Sequence, residues 1–163
     1  MKRRHFLLFS AATAVLALTG CGPAQMIKPE QKVVTAVYDD IEMPDYEATA
    51  DNVALKTQKW IEQNEQTTFL YTKDGIVHGI GNVEVQTHGD TLKTRFDLNF
   101  KVINGHQVEM EAKHFEDQDS PRQGYSDRAY VFHNQVRPAV LELGQAYKDY
   151  MDSDTKPEAI LEQ

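Results

Sequence analysis

Residues 92–102 read Leu92-Lys93-Thr94-Arg95-Phe96-Asp97-Leu98-Asn99-Phe100-Lys101-Val102, a stretch in which apolar and polar side chains alternate. Successive residues of a strand point to opposite faces, so Leu92, Phe96, Leu98, Phe100 and Val102 share one face and Lys93, Arg95, Asp97, Asn99 and Lys101 share the other. The pattern predicts a half-buried antiparallel strand.

Working outward, the pairs Asp74-Gly75, His88-Gly89 and Asn104-Gly105 punctuate the flanking sequence, and glycine there can supply the positive φ that tight hairpins use. Four antiparallel strands result. Their register follows from the requirement that opposed residues lie on the same face. Across His88-Gly89, a two-residue loop sets Val85 against Leu92, Val83 against Thr94 and Glu84 against Lys93. The same ladder continues to Gly81 against Phe96 and Gly79 against Leu98, small opposite large, so these glycines read as packing devices. Gly79-Ile80-Gly81 lacks both the remaining glycine and the strand-to-helix context of a nucleotide loop.

Across Asn104-Gly105, pairing Phe100 with Met110 and Leu98 with Ala112 keeps apolar partners together. That register places Lys101 beside Glu109 and Asp97 beside Lys113 on the wet face, each pair contributing about a few tenths of a kcal/mol. It requires a three-residue bulged turn that includes His106. Across Asp74-Gly75, a two-residue turn sets Thr72 opposite Val77 and Leu70 opposite Gly79. Phe69, Tyr71, Ile76 and Ile80 then join Arg95, Asn99 and Lys101 on the polar face, and a partly aromatic open face is a candidate binding surface. A slip of one residue would return Phe69 and Tyr71 to the core.

Further out, Val33 to Tyr38 forms a first strand. Ala50, Val53, Trp60 and Ile61 recur at helical spacing, with Thr49 or Asp51 as cap and an end near Asn64. A second helix starts near Asp127 and carries Ala129, Phe132, His133, Val136, Val140, Leu143, Tyr147 and Tyr150, with Pro138 expected to kink or split it. The order β-α-β-β-β-β-α predicts an α+β fold: a curved antiparallel sheet of about five strands with two helices on one face, spanning residues 32–152. Residues 153–163 read as a polar tail.

This order resembles an uncharacterised family of bacterial envelope domains, described as domains of unknown function with a TATA-binding-protein-like fold. The resemblance is carried by Trp60-Ile61 ending the first helix, the Asp74-Gly75-Ile76-Val77-His78-Gly79-Ile80-Gly81 hairpin, and Phe96 to Val102 before Asn104-Gly105. It covers roughly residues 32–150 and implies the fold alone. The family brings no assigned active site, and the fold name implies no DNA binding.

The N-terminus carries a different signal. Lys2, Arg3 and Arg4 precede the mostly apolar run Phe6 to Leu18, which closes on Leu18-Thr19-Gly20-Cys21. A basic n-region, a short apolar region and small residues before a cleavage point make residues 1–20 a signal peptide, too short for a membrane span of about 20 apolar residues. Leu-Thr-Gly-Cys resembles the lipobox of bacterial lipoproteins, which implies cleavage before Cys21 and a diacylglyceryl group on its thiol. The competing reading is an ordinary secretory signal with an incidental cysteine.

Arg3-Arg4 also resembles the twin-arginine export signature, but nothing downstream looks like a cofactor site, which favours the general secretory route. Gly22 stands where aspartate would resemble an inner-membrane retention signal, so the expected location is the outer membrane, facing the periplasm. Residues 21–31, with two prolines and no periodicity, read as a lipidated tether.

Cys21 is the chain's one cysteine, so no disulfide supports the fold. Loss of residues 1–20 removes three basic residues and no acid, taking the formal net charge from −8 to −11. That charge opposes nucleic acid and anionic headgroups as partners.

The histidines show no zinc-motif spacing: His88 and His106 fall in turns, while His114 and His133 are expected on the core side as structural residues. Asp117-Gln118-Asp119-Ser120-Pro121 fails as a calcium loop, because Pro121 and Arg128 stand at its fifth and twelfth positions. No Gly-x-Ser-x-Gly elbow occurs. The expectation is a domain without catalysis, metal or cofactor. It would be anchored to the membrane by lipid and bind an envelope protein or peptide through Phe69, Tyr71, Ile80, Arg95, Asn99 and Lys101. The competing readings are an envelope enzyme or metal-dependent protein built from distant histidines and carboxylates, and a structural spacer.

Overall fold

A computed structural model describes residues 25–87, 89–118 and 124–154. Among these, five strands form one antiparallel sheet: β1 (Val34–Tyr38), β2 (Thr67–Lys73), β3 (Ile76–Thr87), β4 (Asp90–Val102) and β5 (Val108–Gln118), in the spatial order β1-β5-β4-β3-β2. Helix α1 (Ala50–Gln63) joins β1 to β2. After β5, α2 (Ala129–Val131), a π-helical turn (Phe132–Val136) and α3 (Arg137–Asp152) follow one another.

The central ladder has the expected register. Val85 faces Leu92, Gly81 faces Phe96 and Gly79 faces Leu98 between β3 and β4. Phe100 faces Met110 and Leu98 faces Ala112 between β4 and β5. Ile103 N–H donates to the Gln107 carbonyl at 3.0 Å, which leaves Asn104-Gly105-His106 as a three-residue loop. Gly105 does not take a positive φ, however, whereas Gly75 and Gly89 do. Its lack of a side chain serves contact: a Cβ there would overlap the Ala48 carbonyl oxygen and lie 3.1 Å from the Thr49 nitrogen.

Helix α1 starts where sequence chemistry places it, because the Thr49 side chain accepts the Asn52 N–H at 3.2 Å and so satisfies a first-turn donor. Val53, Trp60 and Ile61 on α1 and Val140, Leu143, Tyr147 and Met151 on α3 are buried with the apolar face of the sheet. Trp60, Phe100 and Tyr147 meet at ring-centroid distances of 4.3–5.8 Å and join both helices to β4. Lys56, also fully buried, donates from Nζ to the carbonyls of Met151 and Ser153, each at 2.8 Å. It thereby caps α3 with a cation, while burial pulls its pKa down against the opposing charges of Asp45, Asp152 and Asp154.

The helical run is divided just before Pro138, between α2 and α3, by a π-helical turn. That turn absorbs the missing N–H and the clash with the preceding turn, and α3 begins with the proline in its first positions.

Two β-bulges change which residues face the helices. One lies between Phe69 and Tyr71: Thr72 still faces Val77, but Phe69 rather than Leu70 faces Gly79. Phe69 is therefore half-buried against the core, while Leu70 and Tyr71 are exposed. The second lies opposite Arg95 and Asp97, where His114 takes a φ of 53° and the β5 register shifts by one. Phe115 turns inward and His114 outward, against the expectation for that histidine. His133 is exposed as well.

Residues 25–31 are not a free tether. Met26 forms a β-bridge with Arg128, the Gln25 carbonyl accepts the Ala129 N–H at 2.8 Å, and Ile27 N–H donates to the Asp127 carbonyl at 2.7 Å. Ile27 is buried, and the buried Lys32 pairs with Asp127 and donates to the Phe115 carbonyl at 3.2 Å. Residues 25–32 are thus part of the packed domain. Cys21, residues 1–20 read as a signal peptide, and residues 155–163 of the expected polar tail lie outside the described residues, as do His88 and residues 119–123.

Candidate functional site

The sheet face away from the helices collects the polar members of each alternating strand. Tyr71, His78, Asn99 and Glu111 stand in one row across β2, β3, β4 and β5, because each is the ladder partner of the next. The Tyr71 and His78 rings stack at 4.5 Å between centroids with 33° between planes. His78 Nδ1 lies 2.8 Å from Asn99 Oδ1. Asn99 is in turn the ladder partner of Glu111 on β5.

Around this row, Ile76, His78, Asn99, Lys101, Glu109, Glu111 and Lys113 line a groove of about 320 Å³. Lys113 Nζ sits 2.7 Å from Glu111 and Lys101 Nζ sits 3.6 Å from Glu109. The hydrogen bond from Lys113 is the main reason the Glu111 carboxyl lies below its ordinary value of 4.5; the Lys113 charge, Asn99 and the His114 charge add to it, against partial desolvation. Lys113→Gln is expected to raise the Glu111 midpoint toward 4.5, measured by carboxyl-detected NMR titration. An unchanged midpoint would mean that Lys113 does not set it.

The structure brings together most of the residues selected from sequence. Tyr71, Ile80, Arg95, Asn99 and Lys101 stand on the open face; Phe69 does not, since the bulge at Leu70 sends it to the helix side. Asp97 is opposite Lys113 as expected, but its carboxylate bonds His114 Nδ1 at 2.7 Å instead. His78 and Glu111 complete the row and were not selected, although both have the correct parity with Asn99 in their strands. His106 lies in its turn and its Nδ1 is 3.3 Å from the Ile41 carbonyl. Asp117 belongs to β5 and accepts the Ser126 N–H at 3.0 Å, a structural contact between strand and turn. Among the described residues, no three histidine, cysteine or acidic side chains gather as a metal site would require.

Comparison with known proteins identifies the architecture. A crystal structure of a TBP-like protein from Parabacteroides distasonis superposes with a TM-score of 0.53 at 14% identity, covering 80% of this chain and 97% of that one. The fold is TBP-like. A DUF4468 family protein from Bacteroides ovatus aligns at a TM-score of 0.43 and 11% identity, over 77% of this chain and 89% of its own. No family model matches the sequence, and no curated protein matches it. In this TBP-like domain the open face carries Glu84, Asp97, Glu109 and Glu111 among its basic residues, a mixed surface without the excess of cations that a nucleic-acid backbone recruits.

Proposed function

We propose that this chain is a bacterial envelope lipoprotein, cleaved before Cys21 and acylated on it, whose TBP-like domain binds an envelope protein or peptide through its open sheet face without catalysing a reaction. The row Tyr71, His78, Asn99 and Glu111 is the observation that carries the binding reading. It offers an exposed aromatic ring, half-buried Ile76 and Ile80 beside it, and hydrogen-bonding groups already held in place by one another. Such preorganised groups lose little freedom when a partner docks, and an aromatic ring next to apolar neighbours is the usual anchor of an interface. Paired charges of both signs around the groove favour a partner of mixed charge.

The envelope assignment is supported by Leu18-Thr19-Gly20-Cys21 at the correct distance from Lys2, Arg3 and Arg4. Cys21→Ser should leave an uncleaved or mislocalised precursor, followed by mass spectrometry of the N-terminal peptide and detergent partitioning. A processed Cys21→Ser protein that still enters the detergent phase would defeat the lipoprotein reading.

Tyr71→Ser should change the unfolding free energy by less than about 1 kcal/mol, because the side chain is half exposed on the surface. A photo-crosslinker at position 71 in intact envelopes should give a discrete adduct that Lys101→Glu weakens. The control position is Leu55, exposed on α1. Equal adduct patterns at 71 and 55 would remove the support for a binding face.

A further inference from the structure

Of the two most exposed large apolar side chains among those described, Met26 at 60% is one member of the bridge to Arg128, and Tyr130 at 66% follows two residues after the other. Beside them a shallow pocket of about 380 Å³ is lined by Gln25, Arg128, Tyr130, His133 and Asn134. We infer that this end of the domain rests directly on the membrane surface, with Met26 and Tyr130 at the level of the lipid headgroups. The inference rests on the lipoprotein reading above and adds to it an orientation.

Chain length carries the argument. Four peptide units join Cys21 to Gln25, and a fully extended chain spans at most about 3.6 Å per residue, so these two Cα atoms lie within roughly 14 Å of each other. Gln25 is fixed to the domain by the Ala129 N–H, and Ile27 and Lys32 fasten the next turns of chain. An acylated Cys21 has its glyceryl group at the bilayer interface, so the surface around Gln25 cannot stand off from the headgroups. Tyrosine suits that layer, having an apolar body and a polar tip.

Charge agrees with this placement. In a mature chain of formal charge −11, this end presents Lys28, Arg128 and, one turn beyond Asn134, Arg137, against Glu30, Glu116 and Asp117, while Lys32 and Asp127 neutralise each other, so it is close to neutral. The acidic remainder of the domain would be repelled by anionic headgroups, which turns this near-neutral end toward them. The expectation that such headgroups repel the whole domain therefore does not extend to this end.

The test uses the processed, acylated protein in vesicles of phosphatidylethanolamine and phosphatidylglycerol. With Cys21 acylated, a single introduced cysteine can carry an environment-sensitive fluorophore. Positions are Tyr130→Cys and Asn134→Cys at the proposed contact, and Lys73→Cys near the Asp74-Gly75 turn, with the same thermal midpoint required of all three. Nitroxide lipids should quench the label at 130 and 134 several-fold more than at 73, and adding Met26→Ser with Arg128→Gln should reduce that difference. Equal quenching at all positions on vesicles that retain acylated protein would overturn the orientation while leaving the lipoprotein reading intact. A blue shift at 130 that depends on protein concentration and not on lipid would make the patch a self-association surface and overturn it too. An unmodified Cys21 in the mass spectrum would remove the lipoprotein reading and the inference with it.

Discussion

Phe96→Ala is expected to lower the unfolding free energy by about 3–5 kcal/mol, the cost of truncating a buried aromatic in a packed core. Phe96 is 1% exposed and its ladder partner is Gly81, so the ring occupies the space that a Gly81 side chain would fill. Phe115 lies 5.1 Å from the Phe96 ring and is itself held edge-on by Phe132 at 5.1 Å. Glycine has nothing to move into the vacated volume, and Phe115 cannot follow without leaving Phe132. Both the transfer cost and the cavity cost therefore remain. Urea unfolding should show a lower midpoint at an unchanged slope. The partner residue supplies a second reading: Gly81→Ala should destabilise the wild type, because its Cβ meets the Phe96 ring, yet be neutral or favourable in the Phe96→Ala background. Additive effects of the two substitutions would mean that they do not share one volume.

The sheet was legible because alternation fixes both face and register wherever apolar and polar residues strictly interleave. Across the second half of β3, β4 and the first half of β5 that condition holds, and the observed partners are the expected ones. It fails in Phe69-Leu70-Tyr71, three apolar residues in a row that carry no phase of period two. The two-residue turn at Asp74-Gly75 set Thr72 against Val77 correctly, but the bulge beyond it reversed the parity for Phe69. Tyr71, on the near side of that bulge, kept its place. At His114 a signal was present: Phe115 is apolar and out of step with Ala112, as happens when one extra residue enters a strand.

The row behind the candidate site was half legible for a related reason. Parity alone places His78 and Glu111 on the face of Asn99, but their alignment in one row across three strands needs every register at once. The docking of residues 25–31 had no periodic signal, since it depends on one bridge and two backbone hydrogen bonds to a segment about a hundred residues away. Lys56 was hidden for a different reason: a lysine on a helix reads as solvated unless two carbonyls and the Tyr150 ring wait at the far end of another helix, with the Tyr46 ring in the loop before its own.

Gly105→Ala is expected to cost about 3 kcal/mol, at the upper end of what overpacking usually costs. In sequence Asn104-Gly105 looks like a turn that needs glycine for its backbone angles, but the φ of Gly105 is one that other residues adopt. What the position needs is emptiness, because the hairpin tip packs on the N-terminus of α1, where the Ala48 carbonyl and the Thr49 cap nitrogen occupy the place of a Cβ. Those are backbone atoms of a capped helix, and the tip is held there by the Ile41 N–H donating to the His106 carbonyl at 2.9 Å, so neither side can yield cheaply. Gly75 is the contrast: its φ is 74° and a Cβ would come no nearer than 3.8 Å to anything, so alanine there costs only the left-handed backbone, about 1–2 kcal/mol. Asparagine separates the two causes, since it tolerates left-handed angles but carries a larger side chain than alanine. Gly75→Asn should therefore be milder than Gly75→Ala, while Gly105→Asn should be at least as damaging as Gly105→Ala, all four compared by thermal unfolding. Rescue by asparagine at 105 would show that backbone angle, and not contact with α1, is what glycine provides there.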